Sequence, residues 1–250
     1  MGLDIYAGTF IRYYSKNWKT TNQKFCEENG IEYKIIRAHQ EKQSSIDDII
    51  TGVHQWQQQL QIVMHHSGVL EFKIWQEDNE KKYYTEKPDW DAYGALLLMN
   101  SAKALNKKVP EKYLKGMSFD HPFIKKAQNK FFSKWSLYKG VCHFIPHNEN
   151  ILFNWYLANG IETSFATIGT LREELTKINE FCWNANENTI HSWYETEGYP
   201  IYAEFINGQY KKIAKNNVYN TESLAKFAFS ILYKALIFAE ENEVPVIFDF

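Results

Sequence analysis

The segment Arg12-Tyr13-Tyr14-Ser15-Lys16-Asn17-Trp18 concentrates residue types suited to gripping a ligand. A guanidinium offers a planar fork for a carboxylate or phosphate, and Tyr and Trp supply stiff, amphipathic contact area. The chain writes Lys 25 times and Arg three times, at Arg12, Arg37 and Arg172, so these are the positions where a fork in place of a point charge is expected. Leu3–Phe10 reads as a strand and Asn17–Asn29 as a helix, which sets the segment at a strand-to-helix handover, the usual seat of ligand sites in alternating folds. Arg12, Tyr13, Tyr14 and Trp18 are therefore candidate binding residues. The competing reading is that the aromatics close one end of the core. Two acidic groups supply further candidate contact surface: Asp78 with its neighbours Glu77 and Glu80, and the pair Asp89 and Asp91, which also suits the start of a helix after Pro88.

No local signature assigns a catalytic residue. The chain has no Gly-rich phosphate loop, no His-Glu-x-x-His, no Cys-x-x-Cys and no Gly-x-Ser-x-Gly. Cys142-His143 with His147 and Glu149 offers suitable metal ligands, but Pro146 keeps the two histidines off one regular helix, and neighbours on a strand point to opposite faces. Structural roles are expected there, with no metal and no cofactor. His65-His66 falls at a helix end, where imidazolium interacts favourably with the last carbonyls. Cys182 shares an apolar stripe with Ile178 and reads as packing. Trp56, Trp75, Trp135 and Trp183 take stripe positions too, so a carbohydrate-binding reading rests on aromatic abundance alone.

The elements that must position these residues follow from periodicity and punctuation. Thr21 and Phe25 recur at helical spacing after Trp18, with Gly30 at C′. Ile31–Ala38 alternates as a strand. Ser45 and Asp48 resemble a capping box ahead of the stripe Ile46, Ile49, Ile50, Val53, Trp56, Leu60 and Val63. Val69–Trp75 and Lys82–Thr85 look like a hairpin. Helices are expected from Pro88-Asp89 through Leu105 and over Pro122–Trp135, and a short strand over Val141–Ile145. Asn159-Gly160 and Asn207-Gly208 each join β-rich arms (Ile151–Ala158 with Ile161–Thr167, Ile201–Ile206 with Gln209–Ile213), the strongest short-range hairpin signal. Between them Thr170-Leu171-Arg172-Glu173 has the form of a capping box. Asn220 caps a long apolar helix, Thr221–Glu241, and Val244–Phe248 is a final strand. The expected fold is α+β (mixed α/β), a single domain over 1–250 with a mixed sheet, two Asn-Gly hairpins in the second half and several packed amphipathic helices. Asn106–Ser118 is the only soft boundary.

Composition limits the classes. With 250 residues, 44% hydrophobic and 16% aromatic, the chain can bury a sizeable core, and a net charge of -2 argues against a nucleic-acid partner. Met1-Gly2-Leu3-Asp4 has no basic n-region, Tyr6 breaks the myristoylation pattern, and no apolar stretch reaches a membrane span. Three scattered cysteines cannot form a closed disulfide framework. A cytoplasmic location with no membrane partner is expected.

The opening Met-Gly-Leu-Asp-Ile-Tyr, Arg12-Tyr13-Tyr14-Ser15 and Asn17-Trp18 resemble an uncharacterised family of bacterial cytosolic proteins, as do Tyr138–Pro146, Gly169–Cys182 and Pro245–Phe250. The resemblance implies a bacterial, soluble, single-domain protein and assigns no catalytic residue. Together these features favour protein binding over catalysis, most concretely an immunity protein that neutralises a toxic bacterial effector by direct contact. The alternative is a hydrolase-like enzyme acting on a small anionic or nucleotide-like substrate near Arg12.

Overall fold

The structure is a computed structural model describing residues 2–32, 44–200, 203–206, 209–212 and 217–250, with the backbone alone at Ser118, 203–206 and 209–212. Arg37, most of the strand expected over Ile31–Ala38, and the Asn207-Gly208 turn lie outside the described residues. Chain order begins β1 (Asp4–Ala7), α1 (Phe10–Tyr14), α2 (Thr21–Glu28), α3 (Ile46–His66), β2 (Tyr84–Glu86) and α4 (Asp89–Ala104). It continues β3 (Lys112–Leu114), α5 (Pro122–Lys130), α6 (Ser136–Lys139), β4 (His143–Ile145), β5 (Leu152–Tyr156) and β6 (Glu162–Thr167). It closes with α7 (Ile168–Cys182), α8 (Glu187–Thr196), β7 (Ala203–Ile206), β8 (Gln209–Lys212), β9 (Val218–Asn220), α9 (Thr221–Asn242) and β10 (Val246–Asp249). The protein is α+β, with a mixed six-stranded sheet among the described residues.

The chain forms two compact units. The sheet unit comprises Asp4–Lys87, Gly140–Glu173 and Ala235–Phe250. Its strands run in the order β2-β1-β10-β4-β6-β5, with β4 and β6 parallel and the other neighbours antiparallel. The neighbouring strands β1 and β10 are the most apolar. Ile5, Tyr6 and Ala7 of β1 and Val246, Ile247 and Phe248 of β10 are all buried, as strands covered on both faces must be. On one face Phe10, Trp56, Leu60, Phe72, Trp75, Phe165 and Ile247 form a continuous core. Asn159-Gly160 does reverse the chain between β5 and β6, by a type of loop longer than a two-residue turn. Gly160 adopts φ +83° and bonds back to the Leu157 carbonyl, while Leu157 N–H bonds Ile161 O, so a type I turn is followed by one left-handed residue that glycine alone occupies without strain.

The helical unit comprises Met1–Leu3, Pro88–Lys139 and Glu174–Lys234. Here α4 is buried on most sides, from Ala92 to Ala102. Asn220 caps α9 by accepting from Ser223 N–H at 2.9 Å, as its position before the helix dictates. Trp183, Trp193 and Phe229 pack edge to face. The strands pair as β3 with β9 and β7 with β8, so the second hairpin's arms do meet.

Four local expectations fail, two because a nearby residue caps a helix and two because partners come from elsewhere in the fold. The first strand stops at Ala7, and Phe10–Tyr14 is helical because Thr9 accepts from Arg12 N–H. The next helix starts at Thr21 behind a Thr20/Gln23 capping box and leaves Trp18 outside it. Val69–Trp75 forms no hairpin: β2 pairs with β1 instead. Side chains of α3 serve the Val69–Trp75 carbonyls in place of a strand, Gln57 donating to Trp75 O at 3.0 Å and His65 meeting Phe72 O at 3.0 Å. Finally, α7 begins at Ile168, so Thr170 sits inside its first turn and bonds the Ile151 carbonyl, while Glu173 accepts from Asn150.

Glu174, which first-turn statistics would leave on a helix dipole, is buried and caps a different helix. Its carboxylate accepts from Ser136 N–H (2.5 Å), Ser136 Oγ (2.9 Å) and Leu137 N–H (3.0 Å), fixing the four-residue α6. Glu174→Ala strands these donors and is expected to lower unfolding free energy by about 3 kcal/mol in urea titration. A change below about 1 kcal/mol would mean that water replaces the carboxylate.

Candidate functional site

In the sheet unit, Arg12, Tyr13, Tyr14 and Trp18 do come together, on and just after α1. The segment 75–83 holds them. Glu77 accepts from Phe10 N–H (3.1 Å), Ile11 N–H (2.8 Å) and the Trp75 indole (2.5 Å), so a carboxylate closes the N-terminus of α1. Burial pushes the Glu77 carboxyl above its ordinary range, and the N–H donors pull the other way. Glu77 is thus turned inward and is not part of an acidic surface. Asp78 remains exposed, its carboxylate accepting from Glu80 N–H and its carbonyl from the Thr9 hydroxyl.

The Arg12 fork is engaged by the protein itself. Its Nη1 donates to Lys81 O (2.6 Å), its Nε to Asn17 O (2.7 Å), and the guanidinium carbon lies 4.8 Å from the centre of the Tyr83 ring. Arg12 ties the loop after α1 to the chain entering β2. The Arg172 fork does similar service, with Nε on Glu240 at 2.5 Å and Nη2 on Asn148 at 3.3 Å. Trp18 stacks on Tyr13 at 5.7 Å and lies 4.9 Å from Tyr6, so it backs the aromatic group from inside.

Tyr13 and Tyr14 line an open cleft of about 980 Å³. The C-terminal end of α1 with Lys16, the first turns of α3 (Ile46–Val53, with Asp48), Cys142 and His143, the β5–β6 turn at Asn159, and the end of β10 with Asp249 complete its walls. The Tyr13 hydroxyl donates to Asp249, and burial with that neighbouring carboxylate raises its pKa, so it stays a neutral donor. Burial also pushes the Cys142 thiol up to about 11 and His143 down to about 4. At neutral pH the pair is therefore a thiol and a neutral imidazole, the wrong states for thiolate attack. His143 Nδ1 is buried without a hydrogen-bond partner, and its ring packs 5.3 Å from Phe165. Among the described residues the cleft offers stiff aromatic surface, the cation of Lys16 and the carboxylates of Asp48 and Asp249, which suits binding of a polypeptide side chain or a polar small molecule.

Asp89 and Asp91 belong to the helical unit. Asp91 accepts from Gly116 N–H at 2.7 Å, anchoring the turn after β3. Asp89 has φ +60° and bonds Leu3 O through its N–H. Among the described residues no three His, Cys, Asp or Glu stand where they could share a metal ion, and no helix is long and apolar enough to cross a membrane. Sequence reasoning missed Asp249, Asn159 and Asp48 as cleft residues. Their only shared signal is position at an element end, which single-sequence spacing does not join.

Set against family models, curated proteins and solved structures, the chain matches none of them. The class is thus defined by the fold and the cleft: an α+β protein with an open aromatic and acidic cleft in its sheet unit.

Two outcomes follow. Arg12→Lys keeps the charge but cannot make both carbonyl bonds, and is expected to cost about 1–3 kcal/mol in a melting or denaturant assay; an unchanged midpoint would show that water substitutes for the fork. For His143, the unfolded chain binds a proton below its ordinary value of 6.5 while the folded chain resists until about 4. Stability from this group is complete above 6.5 and is lost as pH falls through that window, by up to about 3 kcal/mol at pH 4. A His143→Phe variant should show a correspondingly flatter stability profile between pH 6.5 and 4.

Proposed function

We propose that this is a protein-binding protein, in its most specific form an immunity protein that occludes a toxic effector delivered between competing bacteria. The observation that carries the reading is the pairing of anchored tyrosines with acidic residues in one open cleft: Tyr13 and Tyr14 beside Asp48 and Asp249. Aromatic anchors held rigidly before binding lose little entropy on association and dominate interface energies, and flanking carboxylates accelerate capture of a basic partner. The Tyr13–Asp249 bond and the Trp18 stack supply that rigidity. Asp78, exposed beside the same segment, extends the acidic surface. An engaged Arg12 fits this role as a support for the anchors; the enzyme reading, by contrast, needs that fork for an anion.

The test is growth rescue and pull-down when the protein is co-expressed with the product of the gene beside its own. Rescue with a sub-micromolar complex is expected, weakened about tenfold or more by Tyr14→Ala at unchanged fold. Binding of a small anionic ligand in the cleft with no protein partner would overturn the reading in favour of an enzyme.

A further inference from the structure

The two edges of the six-stranded sheet are treated differently by the sequence. At one edge β2 is three residues long and sits among Lys81, Lys82, Glu86 and Lys87. Short length and charge are the usual devices that stop an edge from recruiting another strand. At the other edge β5 runs five residues, and the nine residues 150–158 around it contain no charge and no proline. In a chain with 25 lysines, that edge carries none of the devices its opposite has.

The backbone of β5 fixes which groups it offers. Ile151 O accepts from Thr167 N–H and Leu157 N–H donates to Ile161 O, so the odd-numbered residues face β6. Leu152, Asn154 and Tyr156 therefore turn their N–H and C=O away from the sheet. The Tyr156 carbonyl is taken by the Trp56 indole at 2.5 Å, which ends the open stretch there. Among the described residues β5 ends the sheet, with β6 on one side of Leu152 and Asn154 and no strand on the other.

We propose that β5 pairs antiparallel with β5 of a second copy of this chain, about a two-fold axis at Phe153. This inference does not rest on the immunity reading. In this register Leu152 of each copy exchanges both backbone bonds with Asn154 of the other, using only groups that are turned outward and leaving the Trp56–Tyr156 bond intact. Phe153 lies opposite its own symmetry mate in the close, non-hydrogen-bonded position, where aromatic pairs interact best. A register centred on Asn154 would set Leu152 against the occupied Tyr156 carbonyl. The neutral stretch favours a second copy over a charged foreign strand, because two identical charged edges would repel and these do not. The contact is small, so association on the order of 100 µM is expected.

Sedimentation equilibrium of the full chain from about 10 µM to about 1 mM tests the pairing. The mass should rise from 29.5 kDa towards twice that value. Asn154→Pro removes an N–H that points away from β6, and Leu152→Lys places a charge on the edge; each should hold the protein at one chain mass while far-ultraviolet dichroism stays unchanged. Hydrogen exchange on the unaltered chain gives a reading independent of variant folding: the Leu152 and Asn154 amides should become protected as concentration rises, while Phe153 and Trp155 are protected throughout. A single-chain mass at 1 mM, or a dimer in which those two amides show no concentration dependence, overturns the proposal. So would a monomer whose β5 is covered only by another protein.

Discussion

The Glu77 carboxylate is the interaction on which the sheet unit's cleft depends. A five-residue helix cannot hold itself together in water, since nucleation costs more than so few bonds return. By receiving the first N–H groups of α1 from a point more than sixty residues later in the chain, Glu77 supplies the missing end. Once α1 is pinned, Tyr13 and Tyr14 have fixed directions, Arg12 reaches the Lys81 carbonyl, and Ser15 and Asn17 meet Asn79. The aromatic cleft is thus a downstream result of one buried acid.

The helical unit uses the same device. Glu174 closes α6, shorter still, from a helix that lies 37–38 residues further along the chain. In each case two of the acid's three partners are backbone N–H groups far away in the chain, which most residue types could present, and the third is a side chain, the Trp75 indole or the Ser136 hydroxyl. That makes the device invisible to motif reasoning and resistant to drift in the helix it caps. It also concentrates risk: the cost of removing one carboxylate is the loss of several donors' partners at once.

What was legible in the sequence was whatever is encoded within one element. The stripe Val53, Trp56 and Leu60 on α3, the Ser45 cap, the Asn220 cap of α9 and the chain reversal at Asn159-Gly160 all rest on spacings shorter than a dozen residues. Two failures come from nearby caps, at Thr9 and at Thr20 with Gln23; the others lie where a segment's polar groups are satisfied from elsewhere. Val69–Trp75 has the composition of a strand, yet Gln57 and His65 of α3 serve its carbonyls. Thr170 and Glu173 have the spacing of a cap and instead bond Asn150 and the Ile151 carbonyl. Arg12 was legible as a residue needing its fork, and what the fork grips was not. Asp249 joins Tyr13 only because β10 pairs with β1, a fact no local pattern contains.

That pairing has a consequence for how the protein comes into being. Asp4 stands opposite Asp249, so the two most deeply buried strands of the sheet are made at widely separated moments. At about 5–20 residues per second, β1 has left the ribosome roughly 10–50 s before β10 follows. Throughout that interval Ile5 and Tyr6 have no β10 to pair with, and only β2 is available to shield one side of them. The sheet unit is therefore completed only once β10 has emerged, and until then its nascent form is an apolar strand in waiting, the kind of segment on which chaperones act.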